Sequence, residues 1–426
     1  MNSPESDFVD EIVQDKVPVH TGPPRGRFLP WHKVRKEYIR RFQWSELAVR
    51  MIKRSWQRQL QTEESTWALD DQPGSGERFE PPANLRLERP LSCLVIPGED
   101  LLDMRALWRD VNHLNCFIRY LGFNESQGSE LVGTRVHVAN NAVTSLPRVA
   151  SNSRVLQDRF EAIAKENSQA YRYLKEYGPF HIVNLDLCGS MFPNTSKDPQ
   201  EYYEALLRLL AYQFEHQKTE WLLFIVTMVE PGVVDVKRLQ ALCGPTRQNM
   251  ENHRDFAERM VGLLPAEALR DPTSPVNLSL LAGEHLIRLF GIALGKWLLA
   301  LCQKARPQWT VAMRRSFQYS QNKQQGAVML SLAFELKPNV TPPVDTTGMT
   351  KLQLATKAYP SERDCAVKLA ESVGNIRDVD AELTANKAMW AELRDAQADL
   401  LESAGYDREA YLKWVGSGEL IPADLL

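Results

Sequence analysis

The sequence predicts an α/β fold: a mostly parallel sheet with a terminal antiparallel hairpin, preceded by a basic helix and followed by a helical extension. Three observations carry this. Phe180 to Leu185 is an apolar strand that ends in Asp186 and a turn at Gly189; helical spacing follows from about Gln200 to Gln217 (Tyr202, Leu206, Leu210, Phe214), then a second buried strand, Trp221 to Val229. Strand, helix and strand of these lengths make a βαβ unit with parallel strands. Apolar strands are also expected earlier, at Leu91 to Ile96 and Cys116 to Leu121, each closed by a turn. Finally, Trp309 to Tyr319 and Val328 to Leu336 alternate apolar and polar residues across Ser320 to Gly326, the pattern of an antiparallel hairpin.

The 426 residues are 43% hydrophobic and 25% charged, which is ordinary for a globular chain with a large core. A formal net charge of −3 gives the whole molecule no pull towards nucleic acid, so any such pull must be local. Six cysteines (Cys93, Cys116, Cys188, Cys243, Cys302 and Cys365) are too far apart for a zinc knuckle or a redox pair and fit free thiols in a reducing cytoplasm. The N-terminus lacks a signal-peptide core. The most apolar helix, Leu286 to Cys302, carries Arg288 and Lys296, so it reads as a core helix and no membrane contact is expected.

In chain order, residues 1–24 are acidic, proline-bearing and without periodicity, and read as a disordered tail. Residues 25–60 turn basic. Val34, Tyr38 and Phe42 repeat at helical spacing, with Lys33, Lys36 and Arg40 as one basic stripe and Arg50, Arg54 and Arg58 as another. This is either a nucleic-acid or phosphate surface or the solvated face of a helix that packs through its aromatics. Residues 61–90, with Gln72-Pro73-Gly74-Ser75-Gly76 and Glu80-Pro81-Pro82, read as a linker. The main domain is expected over 91–337. Within it, a helix follows from Leu101 to about Val111, 126–152 is ambiguous, and Ser153 to Lys175 reads as a loop entering a helix near Asp158. Residues 232–305 are helical. The acidic stretch 345–426 forms a helical extension whose Val379, Leu383, Trp390, Leu393 and Leu400 share a seam with Asn386 and Gln397. That seam either docks on its own domain or binds a protein partner.

Ligands of an open parallel sheet sit at the carboxyl ends of its strands, where Asn184, Asp186 and Gly189 lie. Three chemistries are absent from the sequence. It has no phosphate-binding Gly-x-x-x-x-Gly-Lys-Ser/Thr loop, no His-Glu-x-x-His pair and no Gly-x-Ser-x-Gly elbow. Cys188 as a nucleophile would need a base partner, and His181 lies an odd number of residues away along the strand.

The order of elements from Leu91 to Leu336 resembles the Rossmann-like sheet of class I methyltransferases. Asp186-Leu187-Cys188-Gly189 resembles the Asp-Pro-Phe/Tyr-Gly signature of tRNA guanine methyltransferases, and of the three-Cys-motif partner proteins of bacterial defence loci. The basic helix ahead of the first strand is similar to the lead-in helix of that partner family. The resemblance implies S-adenosylmethionine held over the sheet by the turn Pro97-Gly98-Glu99-Asp100. Glu99 or Asp100 would take the ammonium, Asn124 or Glu125 the ribose, and Asp158 the adenine. It makes Asn184 and Asp186 the residues that hold an acceptor nitrogen, by positioning and electrostatics. It further implies a nucleic-acid substrate, met by Lys33, Lys36, Arg40, Arg50 and Arg54, and an antiviral setting in the bacterial cytoplasm. Leu187 and Cys188 stand where that signature has its proline and aromatic. The alternative is therefore a catalytically inactive scaffold or sensor on the same fold.

Overall fold

The computed structural model describes residues 28–55, 89–114, 116–125, 130–187, 189–193, 201–265, 268, 277, 280–281, 283–320, 328–339 and 359–416. The expected tail 1–24, almost all of the linker 61–90, Arg58, Cys188 and the first part of the expected C-terminal extension lie outside them.

Among the described residues, nine strands form one mixed sheet. They are β1 (Arg89–Val95), β2 (Cys116–Phe123), β3 (Arg154–Leu156), β4 (Ile182–Asp186), β5 (Trp221–Met228), β6 (Trp309–Met313), β7 (Phe317–Ser320), β8 (Val328–Pro338) and β9 (Arg377–Asp378). Their order is β3-β2-β1-β4-β5-β8-β7-β9, with β6 also on β8. The first five strands pair in parallel, with Val95 opposite Asn184 and Asp186 opposite Val226. β8 runs antiparallel to β5, Phe224 facing Ala333. The expected α/β class with a mostly parallel sheet and a terminal hairpin is what the chain forms.

The central strands β4 and β5 are buried along nearly their whole length because helices cover both faces. One face packs on α1 (Val34–Ile39), α2 (Leu102–Val111) and α3 (Glu130–Thr144) and on α11 (Val379–Ala385) and α12 (Lys387–Ser403). The other carries α4 (Gln169–Tyr177), α5 (Glu201–His216), α9 (Glu284–Lys304) and α10 (Glu362–Gly374). Between α5 and α9 lie α6 (Val236–Leu242), α7 (Gly244–Asn252) and α8 (Arg254–Leu263); α13 (Arg408–Gly416) ends the described chain. α9 is long and apolar enough to cross a membrane. Yet 78% of its most apolar window is buried inside the protein, and an all-round apolar helix in that position belongs to the core.

Several elements differ from expectation. The ambiguous stretch after β2 contains α3. No α-helix begins at Asp158: β3 precedes it, a 3-10 turn Phe160–Ala164 follows, and α4 starts later, capped by Ser168, which accepts the Tyr171 N–H. The single strand expected from Trp309 to Tyr319 is two strands separated by a bulge. Arg314 N–H donates to Ala333 O while Ala333 N–H donates to the Ser316 hydroxyl. Buried Gln43 seals the bulge by donating to Arg315 O and Ser331 O.

Neither end of the described chain stands apart. α1 runs on through a π turn, Arg40–Ser45, into helical residues 46–55, and buries Tyr38, Ile39, Trp44 and Met51 against the sheet. Each such side chain contributes roughly 1.5–3 kcal/mol. The C-terminal seam breaks at Asn386, whose side chain caps α12 by accepting the Met389 N–H. Its buried Gln397 accepts from Arg40, so this face of the seam is taken by the chain's own α1. β9 even joins the edge of the sheet.

Candidate functional site

The carboxyl ends of β1, β2 and β4 open into a cavity of about 700 Å³. That volume suits a nucleoside-sized ligand. Its floor is built by the turn after each strand. After β1, Leu101 N–H closes on Gly98 O, and Leu101 takes a left-handed conformation (φ 50°) while fully buried. A left-handed leucine is strained, and such strain gathers where a turn is held for a purpose. After β2, Asn124 donates its side-chain amide to Pro97 O at 2.7 Å and ties this turn to the first. Gly122 lies beneath both: a Cβ there would meet Val155 Cγ2 at 2.9 Å and Pro97 Cγ at 3.2 Å. The glycine required by close packing is therefore Gly122, on β2. At Gly98, which the resemblance makes the cofactor turn, a Cβ would meet only Trp31, at 3.7 Å.

Of the residues expected to hold cofactor or acceptor, Gly98, Glu99, Asp100, Asn124, Glu125, Asp158 and Asp186 line this cavity. Asn184 does not. It is buried under Asp186 on the same face of β4, and its backbone oxygen accepts the Ile96 N–H. The acids differ in their engagements. Glu99 is half-buried and meets Arg135 at 3.2 Å. Asp158 accepts the N–H of Arg159. Asp100 is committed elsewhere: it accepts the Tyr406 hydroxyl at 2.7 Å and faces the buried His32, so it clasps the β1 turn to the C-terminal helices.

The basic stripe is where the structure departs furthest from expectation. Lys36 and Arg40 are 7% and 2% exposed and point into the protein. Lys36 donates to Asp186, and Arg40 donates to Asp103 at 2.8 Å and to Gln397. Arg54 pairs with the buried acids Glu220 and Glu335 at the opposite ends of the strands. Arg50 is exposed and pairs with Glu46 one helical turn away. Lys33 lines the cavity mouth. The stripe is therefore not one surface: acids on α2 and β4 draw its central cations inward.

Burial alone would lower the Lys36 pKa, but the facing Asp186 carboxylate reverses this and holds the ammonium charged. Burial pushes the Asp186 carboxyl up, against the pull of Lys36, with Asp103 adding to the rise. The Lys36 ammonium also lies 5.5 Å from the Trp44 ring centre and 5.9 Å from that of Tyr319.

Among the cavity residues that were not expected, three bear directly on its chemistry. Tyr319 comes from β7 and Asp103 from the first turn of α2. Tyr202, at the start of α5, is buried with a hydroxyl that has no hydrogen-bond partner among the described residues. Burial first, then Glu161 and Asp186, raise its pKa well above the usual phenol value. The Asn124 side-chain oxygen is likewise buried without a partner. Orphan polar atoms of this kind are uncommon in folded proteins and mark places where a ligand can bond. Among the described residues, no group of three or more His, Cys, Asp or Glu side chains is placed to hold a metal ion.

The model of the PP_RS20740-like family matches residues 25–416, and the chain belongs to that family. No curated protein and no solved structure matches it.

Proposed function

We propose that this PP_RS20740-like protein is an S-adenosylmethionine-binding protein of the class I methyltransferase type, with its cofactor in the strand-end cavity. One observation carries the reading. Polar residues from the turns after β1, β2, β3 and β4 line a single cavity, in the order the resemblance requires. Glu99 is the group for the ammonium, since Asp100 is clasped to Tyr406. The orphan oxygen of Asn124 accepts a ribose hydroxyl, and Asp158 with Phe160 borders the adenine. The cofactor would supply an activated methyl group. The protein's own part is to orient it, exclude water and hold the acceptor nitrogen at Asp186.

Nucleic acid as the acceptor rests on Lys33, which lines the cavity, and on the exposed Arg50, because Lys36, Arg40 and Arg54 are drawn onto buried or nearly buried acids of the same chain. The same Lys36–Asp186 contact favours a second reading, a cofactor-binding sensor without transfer. In both readings the protein works in the cytoplasm. The likeness to three-Cys-motif partner proteins is what suggests a bacterial defence setting.

Ultraviolet cross-linking of labelled S-adenosylmethionine, followed by peptide mapping, tests the reading. Label on 97–103, 122–125 or 158–160 supports it. Label elsewhere, or none displaced by unlabelled cofactor, contradicts it.

A further inference from the structure

The floor of the cavity is a box for a cation. Asp186 supplies one wall, and the faces of Trp44 and Tyr319 supply two more. Asp103 adds negative charge, and it is balanced by Arg40. Trp44 and Tyr319 are buried, so the attraction of their rings for a cation is little screened by water. The ammonium of Lys36 fills the box. Lys36, Asp186 and Tyr319 all line the cavity, so the box is reached from the cavity side.

A buried ion pair is a poor means of stabilising a fold, because desolvating both charges offsets most of their attraction. Two apolar residues would have served packing at least as well. Here the pair stands at the bottom of an open cavity, inside an acid-and-aromatic enclosure of the kind that recognises ammonium ligands. Lys36 reaches it as a four-carbon chain ending in a primary ammonium.

We propose that the Asp186–Trp44–Tyr319 box binds the primary alkylammonium head of a ligand, and that Lys36 is its resident stand-in. Under the proposed function, on which this identification alone rests, that ligand is the acceptor, an aliphatic amine: Asp186 would first take a proton from its ammonium, and the freed nitrogen would then take the methyl group as the cofactor's sulfonium became a thioether. Lys36 then acts as a tethered competitor that must swing out before the ligand enters.

The test uses n-butylammonium, which copies the removed side chain, and the full-length Lys36→Ala protein. Saturable binding with a rise in melting temperature is expected for Lys36→Ala. Wild type should bind about tenfold or more weakly, since its own ammonium competes at high effective concentration. Lys36→Ala/Asp186→Asn should not bind, and n-butanol should not substitute for the cation. If Lys36→Ala does not fold alone, the cation present during refolding should restore the fold. Failure of butylammonium either to bind folded Lys36→Ala or to rescue it overturns the proposal. Neither outcome depends on S-adenosylmethionine. Binding of that cofactor by wild type, measured separately, decides the proposed function by itself.

Discussion

Lys36 on α1 donates its ammonium to the carboxylate of Asp186, 150 residues further along the chain. The contact joins the N-terminal helix to the end of the fourth strand, and both side chains are nearly buried, at 8% and 13% exposure. Removing one partner strands the other charge. Asp186→Ala should therefore lower stability by about 3–5 kcal/mol, while Lys36→Met with Asp186→Leu should cost far less than the two single changes together. Urea denaturation of the wild type, Asp186→Ala, Lys36→Met, Asp186→Leu and the double variant measures this. Additive losses would show that the two residues are not coupled.

The inward turn of the basic stripe separates its members. Arg40→Ala leaves Asp103 and Gln397 without their buried partner and should cost on the order of 3 kcal/mol. Arg50→Ala touches an exposed pair and should stay within about 0.5 kcal/mol. Lys33→Ser with Arg50→Ser should flatten the salt dependence of any nucleic-acid binding. An unchanged slope would remove nucleic acid from the account.

The two glycines of the cavity floor should behave oppositely. Gly122→Val drives a side chain into Val155 and Pro97 and should destabilise the protein by about 1–3 kcal/mol. Gly98→Ala has room against Trp31 and should leave the melting temperature nearly unchanged. Thermal unfolding of both variants checks the contrast, and equal losses would contradict the packing described.

His181 gives the fold a dependence on pH. Its Nδ1 accepts the Ser92 N–H, and burial, aided by Arg119, holds its pKa at about 4. The unfolded chain takes up the proton first, near the ordinary value of 6.5. The stability from neutral His181 is therefore complete above that pH and is lost as the pH falls from 6.5 to 4, by at most about 3 kcal/mol. The stability difference between wild type and His181→Asn should shrink over this window. A constant difference would show that His181 does not titrate abnormally.

Most of the sheet can be read from the sequence, because β1, β2, β4 and β5 are largely apolar runs closed by turns. β3 and β9 cannot. They have three and two residues, and their pairing is set by neighbours and not by their own pattern. The bulge at Arg314 to Ser316 is also invisible, since it depends on Gln43 from a distant helix. In the site, the strand-end acids follow from the topology. The inward cations do not: Lys36 and Arg40 lie at the spacing of a solvated stripe, and only Asp186 and Asp103 across the fold make them buried. Tyr202 had a signal of its own, as an aromatic opening the helix after the Asp186 turn. The clasp of Asp100 by Tyr406 links residues 306 positions apart and leaves no local trace.

The central claim is that the strand-end cavity binds S-adenosylmethionine, and calorimetric titration of the full chain tests it most directly. Saturable binding of S-adenosylmethionine and of its demethylated product is expected, with a Kd on the order of micromolar. Asn124→Leu, which removes the orphan oxygen, should weaken both by about tenfold. Absence of binding to a folded wild-type sample, or binding indifferent to Asn124→Leu and Gly98→Ala alike, would contradict it.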